Sequence, residues 1–192
     1  MLLGLDPATR TGWAVVDDAS SDPYLQCGSW QLPRRVEIAA KCNILSDIMT
    51  DFFPRHNINY AVVELPMSMP PRRKARAVQT ALGFEIEEGS QGSIGTQNQL
   101  WGLHGCIIGA LRRQGIGYRC VAASTWRAAM LGKFARGQAK NLSRSTLEAQ
   151  GIHVPNADAA EAGMMVNWLL HHVNRFRLED EIIAREEKAR GG

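Results

Sequence analysis

The chain has only four cysteines in 192 residues, and no two of them form a CxxC pair. Cys27, Cys42, Cys106 and Cys120 therefore lack the close spacing of a structural zinc site, and reduced thiols in a cytoplasmic protein are expected. Long uncharged apolar runs are lacking too: no window reaches the roughly 18 residues that a membrane helix needs. The opening MLLGLD carries no basic n-region, so no secretory leader is expected. There are no internal repeats and no low-complexity segments. What remains is a chain that is 45% hydrophobic, enough to bury one core and marginal for two.

A further deficit is local. Residues 145–174 contain no Lys or Arg against 3 acids, and residues 1–71 hold 5 cations against 8 acids. Residues 72–144 reverse the balance, 12 against 3, and the tail from 175 to 192 is even at 5 and 5. A basic middle between acidic segments suits a polyanion-binding surface beside a carboxylate site. The plainer alternative is a basic surface that serves only solubility.

LLGLD, TGWAVVDD and YLQCGSWQL, separated by turn residues, predict three strands in an antiparallel meander. From Val36 to Phe53, apolar residues recur at helical spacing. INYAVVEL then predicts a buried strand, and the intervening helix makes it parallel to its sheet neighbour. Residues 66–95 are expected to form a long loop with a short helix around Ala75 to Leu82. Thr96 and Gln99 make a capping box for a helix ending near Gln114. IGYRCVA is a fifth strand, Ser124 caps a short helix, and helices near 138–150 and 156–174 complete the unit. The expectation is an α/β fold with a five-stranded mixed sheet, three antiparallel strands followed by parallel ones, flanked by helices. The domain covers residues 1–174, with a charged helical tail over 175–192.

Asp6 ends the first strand and Glu64 the fourth. On parallel neighbours these ends lie about 4.8 Å apart, at the edge where open α/β sheets bind ligands. Asp158 and Glu161, in NADAAEAGMMVNWLLHH, share one helix face, and the alanines around them offer no cationic partner. Four carboxylates so close cannot all stay ionised without a cation. A donor set made only of oxygen favours magnesium or manganese. Two such ions about 4 Å apart would activate a water and stabilise the leaving oxygen of a phosphodiester. Each acid alone has an ordinary reading: helix dipole for Asp158, solvated helix face for Glu161, turn for Asp6 before Pro7, strand end for Glu64. The joint pattern carries the weight.

LLGLDPATRTGWAVV, YAVVEL and NADAAEAGMMVNW, in that order and spacing, resemble the RuvC family of Holliday junction resolvases within the RNase H-like superfamily. The resemblance covers roughly residues 1–172. It implies an RNase H-like nuclease domain in which Asp6, Glu64, Asp158 and Glu161 hold two Mg2+ ions, for which Mn2+ can substitute. VAASTWRAAMLGKFARGQAK resembles the segment that presents basic residues to the DNA backbone, with Arg127 and Lys140 where the family has lysines. Three departures stand out: Glu161 replaces the usual aspartate, Met67 replaces an aromatic that wedges into the junction, and the segment from Pro66 to Gly95 is longer. The size and these departures look more like the phage-encoded branch.

PPRRKAR places Arg72, Arg73, Lys74 and Arg76 on the way out of the site. With Arg127, Lys133, Arg136, Lys140 and Arg144 they could wall a groove for DNA phosphates. Gly102, Gly105 and Gly109 fall on one face of a helix, at about 1 kcal/mol each relative to alanine. Close approach of another backbone is the simplest reason, either in a homodimer, as the resemblance implies, or within the chain. His104 is expected to be a hydrogen-bonded core or interface residue rather than a ligand. Trp101, Trp126 and Trp168 are expected in the core, with Trp126 able to stack on a nucleotide. The expected function is a metal-dependent endonuclease resolving four-way junctions by paired nicks, acting as a homodimer, with Lys140 near the transition-state charge. Alternatives are a nuclease for flaps, other branched DNA or RNA–DNA hybrids, and a catalytically silent junction-binding protein. An actin-like phosphotransferase would need glycine-rich phosphate loops and a second lobe that this length excludes.

Overall fold

Alternation along the strands sorts the sheet into two faces, and each face gathers its own core. The computed structural model describes residues 1–20, 24–66, 76–80, 83–87, 94–135 and 137–190. Its main sheet contains β1 (Leu2–Asp6), β2 (Arg10–Val16), β3 (Leu25–Gln31), β4 (Tyr60–Glu64) and β7 (Gly117–Val121) in the order β3-β2-β1-β4-β7. β1 pairs antiparallel with β2, placing Asp6 opposite Gly12, and parallel with β4, with Leu5 opposite Val63. β2–β3 is antiparallel and β4–β7 parallel. This is the mixed sheet expected from the sequence, with the parallel pairs formed where a helix intervenes.

Leu3, Leu5, Val15, Ala61 and Val63 face one side. They pack with Leu45, Met49 and Phe52 of α1 (Ile38–His56) and Leu103, Ile107 and Leu111 of α2 (Ile94–Arg113). The alternate residues Leu2, Ala14, Val16, Tyr60 and Val62 face the other side. There they meet Trp126 of α3 (Ala123–Leu131), Leu147 of α4 (Ala139–Ala149) and the apolar stripe of α5 (Ala157–Arg190). Because the side-chain period is two, Asp6 and Glu64 continue the set that faces α5. Register alone thus aims both strand-end acids at the helix that carries the other two.

α5 lies close enough to the sheet to need glycine beneath it. A Cβ on Gly4 would stand 2.6 Å from the carbonyl oxygen of Ala162, and one on Gly12 would overlap the carbonyl oxygen of Asp158. The start of α5 is fixed by Asn156, as expected. Its Oδ1 accepts the Ala159 N–H at 3.0 Å while its Nδ2 donates to Ser29 Oγ on β3 at 2.8 Å. The helix runs unbroken to Arg190. The early tail is tied back by Arg177 to Asp18 (2.8 Å), Arg119 to Asp180 (2.6 Å) and the Tyr60 hydroxyl donating to Asp180 (2.7 Å).

Several local expectations are corrected. The anticipated short helix around Ala75 to Leu82 is absent: β5 (Arg76–Thr80) and β6 (Gly83–Glu87) form an antiparallel pair with Thr80 opposite Gly83. Val78, Thr80, Phe84 and Ile86 supply the β-branched and aromatic alternation that favours strands. Thr96 and Gln99 are not a capping box, because α2 already begins at Ile94. The Gln99 amide is used across the structure instead, donating to Thr9 Oγ1 at 2.6 Å and accepting from Lys41 Nζ at 2.5 Å. Ser124 lies inside α3, whose cap is Ala122. Gly102 abuts Ile38 of α1, so one of the three α2 glycines is explained within the chain; among the described residues nothing lies within 4 Å of a Cβ on Gly105. His104 is buried as expected, but its Nε2 has no hydrogen-bond partner among the described residues.

Candidate active site

At the carboxyl ends of β1 and β4, a pocket of about 240 Å³ is lined by Asp6, Glu64, Asp158 and Glu161 together with Arg127 and Lys140. Ligand oxygens of Asp6, Asp158 and Glu161 all lie within 4.8 Å of one another. Glu64 lines the pocket but stands outside that group. Its Oε2 accepts the Trp126 indole N–H at 2.8 Å and lies 3.7 Å from Arg127 Nη2. A buried N–H bonded to a charged acceptor contributes on the order of 1.5–3 kcal/mol, which fixes the Glu64 rotamer. Three acids converge fully, and the fourth lines the same pocket.

The expectation that Asp158 and Glu161 lack cationic partners is corrected. Lys140 Nζ contacts Asp158 Oδ1 at 2.5 Å and Glu161 Oε2 at 3.5 Å. Arg127 Nη2 contacts Glu161 Oε1 at 2.6 Å, and its guanidinium lies over the Trp126 ring at 5.1 Å. Both cations come from α3 and α4, which fold over the N-terminal end of α5. Glu161 is only 1% exposed, so these contacts stabilise a charge that water cannot reach.

Crowding still leaves its mark on Asp6. Burial, then the charges of Glu64 and Glu161, push its carboxyl well above the usual carboxylate range, against the opposing pull of Lys140. Burial also raises Glu64, with Arg127 and the Trp126 hydrogen bond working the other way. For Lys140, burial lowers the pKa, but the Asp158 hydrogen bond and the Glu161 charge outweigh it, and the net direction is up. Two cations do not fully satisfy four acids. An all-oxygen donor set with an under-compensated carboxyl fits a hard divalent ion.

Of the other sequence-derived candidates, Lys133 lines a larger cavity next to the acids. Arg144 sits on α4 in an ion pair with Glu148 at 2.7 Å and does not line either cavity. Arg76 lies at the start of β5, opposite Glu87 of β6. Met67, Arg72, Arg73, Lys74 and Arg136 lie outside the described residues. Trp126 cannot stack on a nucleotide: it is fully buried and its N–H is committed to Glu64. Trp101, expected in the core, is 47% exposed and lines the larger cavity. Gly4 and Gly12, which let α5 bring its acids to the sheet, are not singled out by the sequence patterns above. An isolated glycine inside a strand pattern is their available signal.

A five-stranded mixed sheet with helices on both faces and acids at its parallel edge defines an RNase H-like fold. More particularly, the fold is that of the RuvC-type resolvases. Thermus thermophilus RuvC is similar over 93% of this chain and 96% of its own, with a TM-score of 0.62 at 14% identity. The T. thermophilus RuvC structure in complex with Holliday junction substrate gives 0.60 at 13% identity over 92% and 94%. The yeast mitochondrial Holliday junction resolvase Ydc2 gives 0.56 at 10% identity over 96% and 83%. No family profile matches the chain, and no curated protein is similar to it in sequence.

Proposed function

We propose that this chain is a divalent-metal-dependent endonuclease that cuts branched DNA, four-way junctions above all, acting as a homodimer whose two sites nick opposing strands. The observation that carries this reading is the meeting of Asp6, Asp158 and Glu161 within 4.8 Å, with Glu64 lining the same pocket. The RuvC-type fold supports it, and one of the structural neighbours, T. thermophilus RuvC, is seen in complex with Holliday junction substrate.

Asp6, Asp158 and Glu161 would hold the metal, with Glu64 completing the set. When bound, magnesium supplies Lewis-acid stabilisation of phosphoryl charge and makes a water acidic enough to attack near neutral pH. The chain's own residues do the rest. Arg127 and Lys140, bound to acids here, are within reach of a phosphate placed over the pocket and would position it by charge-assisted hydrogen bonds. Lys133, and the basic residues of 72–76, 136 and 144, would contact the flanking backbone and orient the strands.

A second reading has its own support. The pairs Arg127–Glu161 and Lys140–Asp158 already neutralise much of the acidic charge, as they would in a junction-binding protein without catalysis. Incubation with a labelled mobile four-way junction, a flap, a plain duplex and an RNA–DNA hybrid, with and without magnesium, separates the readings. Paired, mapped nicks in the junction that require the divalent ion are expected. Tight junction binding with no nick at any magnesium concentration would leave the binding-only reading, and preferential cutting of hybrid or flap would move the substrate assignment.

A further inference from the structure

The acidic pocket opens into a second cavity of about 1030 Å³, and the two share Leu65, Pro66, Arg127, Lys140 and Glu161. Beyond the shared residues its described lining is chiefly apolar, with Trp101 and Phe134 as its aromatic members and Lys133 as a further cation. The volume stands at the top of the range of small-ligand sites, roughly 300–1,000 Å³, so a nucleoside enters without displacing protein. Trp101 is the exposed tryptophan of the five, and its ring is braced by the buried His104 ring at a centroid distance of 5.8 Å. A braced aromatic held half in water beside a charged pocket is a surface that awaits a flat ligand.

The geometry of a nucleic-acid strand says which ligand. A phosphodiester seated at the acids carries a nucleoside on either side, and the one directed past Arg127, Lys140 and Glu161 reaches the larger cavity, because the two cavities share these residues. The cations there match the phosphate, and the walls beyond match the base. A base stacked and paired in a duplex cannot enter, whereas one beside a branch point is already partly released. We infer that the larger cavity receives an unstacked nucleobase next to the scissile phosphate, with Trp101 as its stacking surface and Phe134 as a second aromatic wall. The inference rests on the nuclease reading and adds a source of structure selectivity to it: only a strand that can surrender a base seats its phosphate fully.

The test uses four-way junctions in which a single abasic residue is walked through the positions flanking the branch, with binding followed by fluorescence anisotropy in calcium buffer. Wild-type protein loses about 10-fold in affinity at one flanking position, the scale of one stacked base. Trp101→Ala binds the intact junction about 10-fold more weakly and is indifferent to the abasic residue at that position. Trp101→Phe keeps most of the sensitivity, and circular dichroism checks that each variant is folded. The same abasic profile for wild type and Trp101→Ala, or unchanged affinity of Trp101→Ala for the intact junction, overturns the inference and leaves the cavity to a peptide or a second copy of the chain. Cleavage in magnesium is scored separately. A wild-type protein that binds with this profile but never nicks would count against the nuclease reading while upholding the base site.

Discussion

Asp6→Asn stops junction cleavage, by at least about 10³-fold, the scale of losing one member of a group that acts as a unit, while junction binding persists. Asp6 ends β1 opposite Gly12, and its oxygens meet those of Asp158 and Glu161 within 4.8 Å. Asparagine keeps the shape and one acceptor oxygen but removes the charge that would hold a divalent ion. The cations that would touch the DNA backbone are untouched, so affinity stays, as gel-shift titration would register. Undiminished cutting by this variant would remove Asp6 from the mechanism.

The same substitution carries a second, opposite-signed effect. Burial and neighbouring acids raise the Asp6 carboxyl in the folded state. A raised acid binds its proton more tightly folded than unfolded, so stability falls as pH rises from the ordinary carboxylate range through the raised value. Asp6→Asn escapes that loss. In chelator, at a pH above the raised value, it should melt above wild type by about 2–4 °C for each kcal/mol relieved. The gap should close as the pH is lowered through that value, and a variant that melts below wild type at every pH would refute the crowding.

What the sequence disclosed about the site was its radial part. Strand ends and the three-residue spacing on a helix are local, and local patterns fix which face a side chain takes. Asp6 and Glu64 follow from their place at the end of the apolar runs LLGLD and YAVVEL; Asp158 and Glu161 follow from the start signal at Asn156. The counter-ions were illegible because they are set by tertiary folding. Arg127 lies 34 residues from Glu161 and Lys140 18 from Asp158, and only the closure of α3 and α4 over α5 brings them in. Trp126 and Trp168 are buried as expected, and Trp101 departs for a related reason. Helical periodicity marks Trp101 and Trp126 alike as apolar, but which of the two meets a carboxylate and which a cavity depends on neighbours from other elements. The β5–β6 pair was hidden because two five-residue strands are too short for alternation to outweigh the polar, cation-rich sequence before them.

Gly12→Ala tests the packing that assembles the site. The added methyl would overlap the carbonyl oxygen of Asp158, a backbone atom in the first turn of α5 that no rotamer change can move. Either the strand or the helix start must shift, and overpacking of this kind costs about 1–3 kcal/mol. A shift of the helix start carries Asp158 and then Glu161 away from Asp6, and displacement of about 1 Å at a reacting centre costs on the order of 10²-fold in rate. Gly4→Ala is the matched comparison. Its methyl would meet the Ala162 carbonyl oxygen at 2.6 Å, beyond both acids along the helix. It should lower the melting temperature comparably while sparing more of the cleavage, because the first turn of α5 is still anchored by Asn156. The ratio of activity loss to stability loss is therefore the decisive quantity, and it should be larger for Gly12→Ala. Equal ratios would mean that both glycines serve stability alone. A Gly12→Ala protein that melts and cuts like wild type would mean that α5 rides further from the sheet than this packing requires, and that the acids meet by some other path.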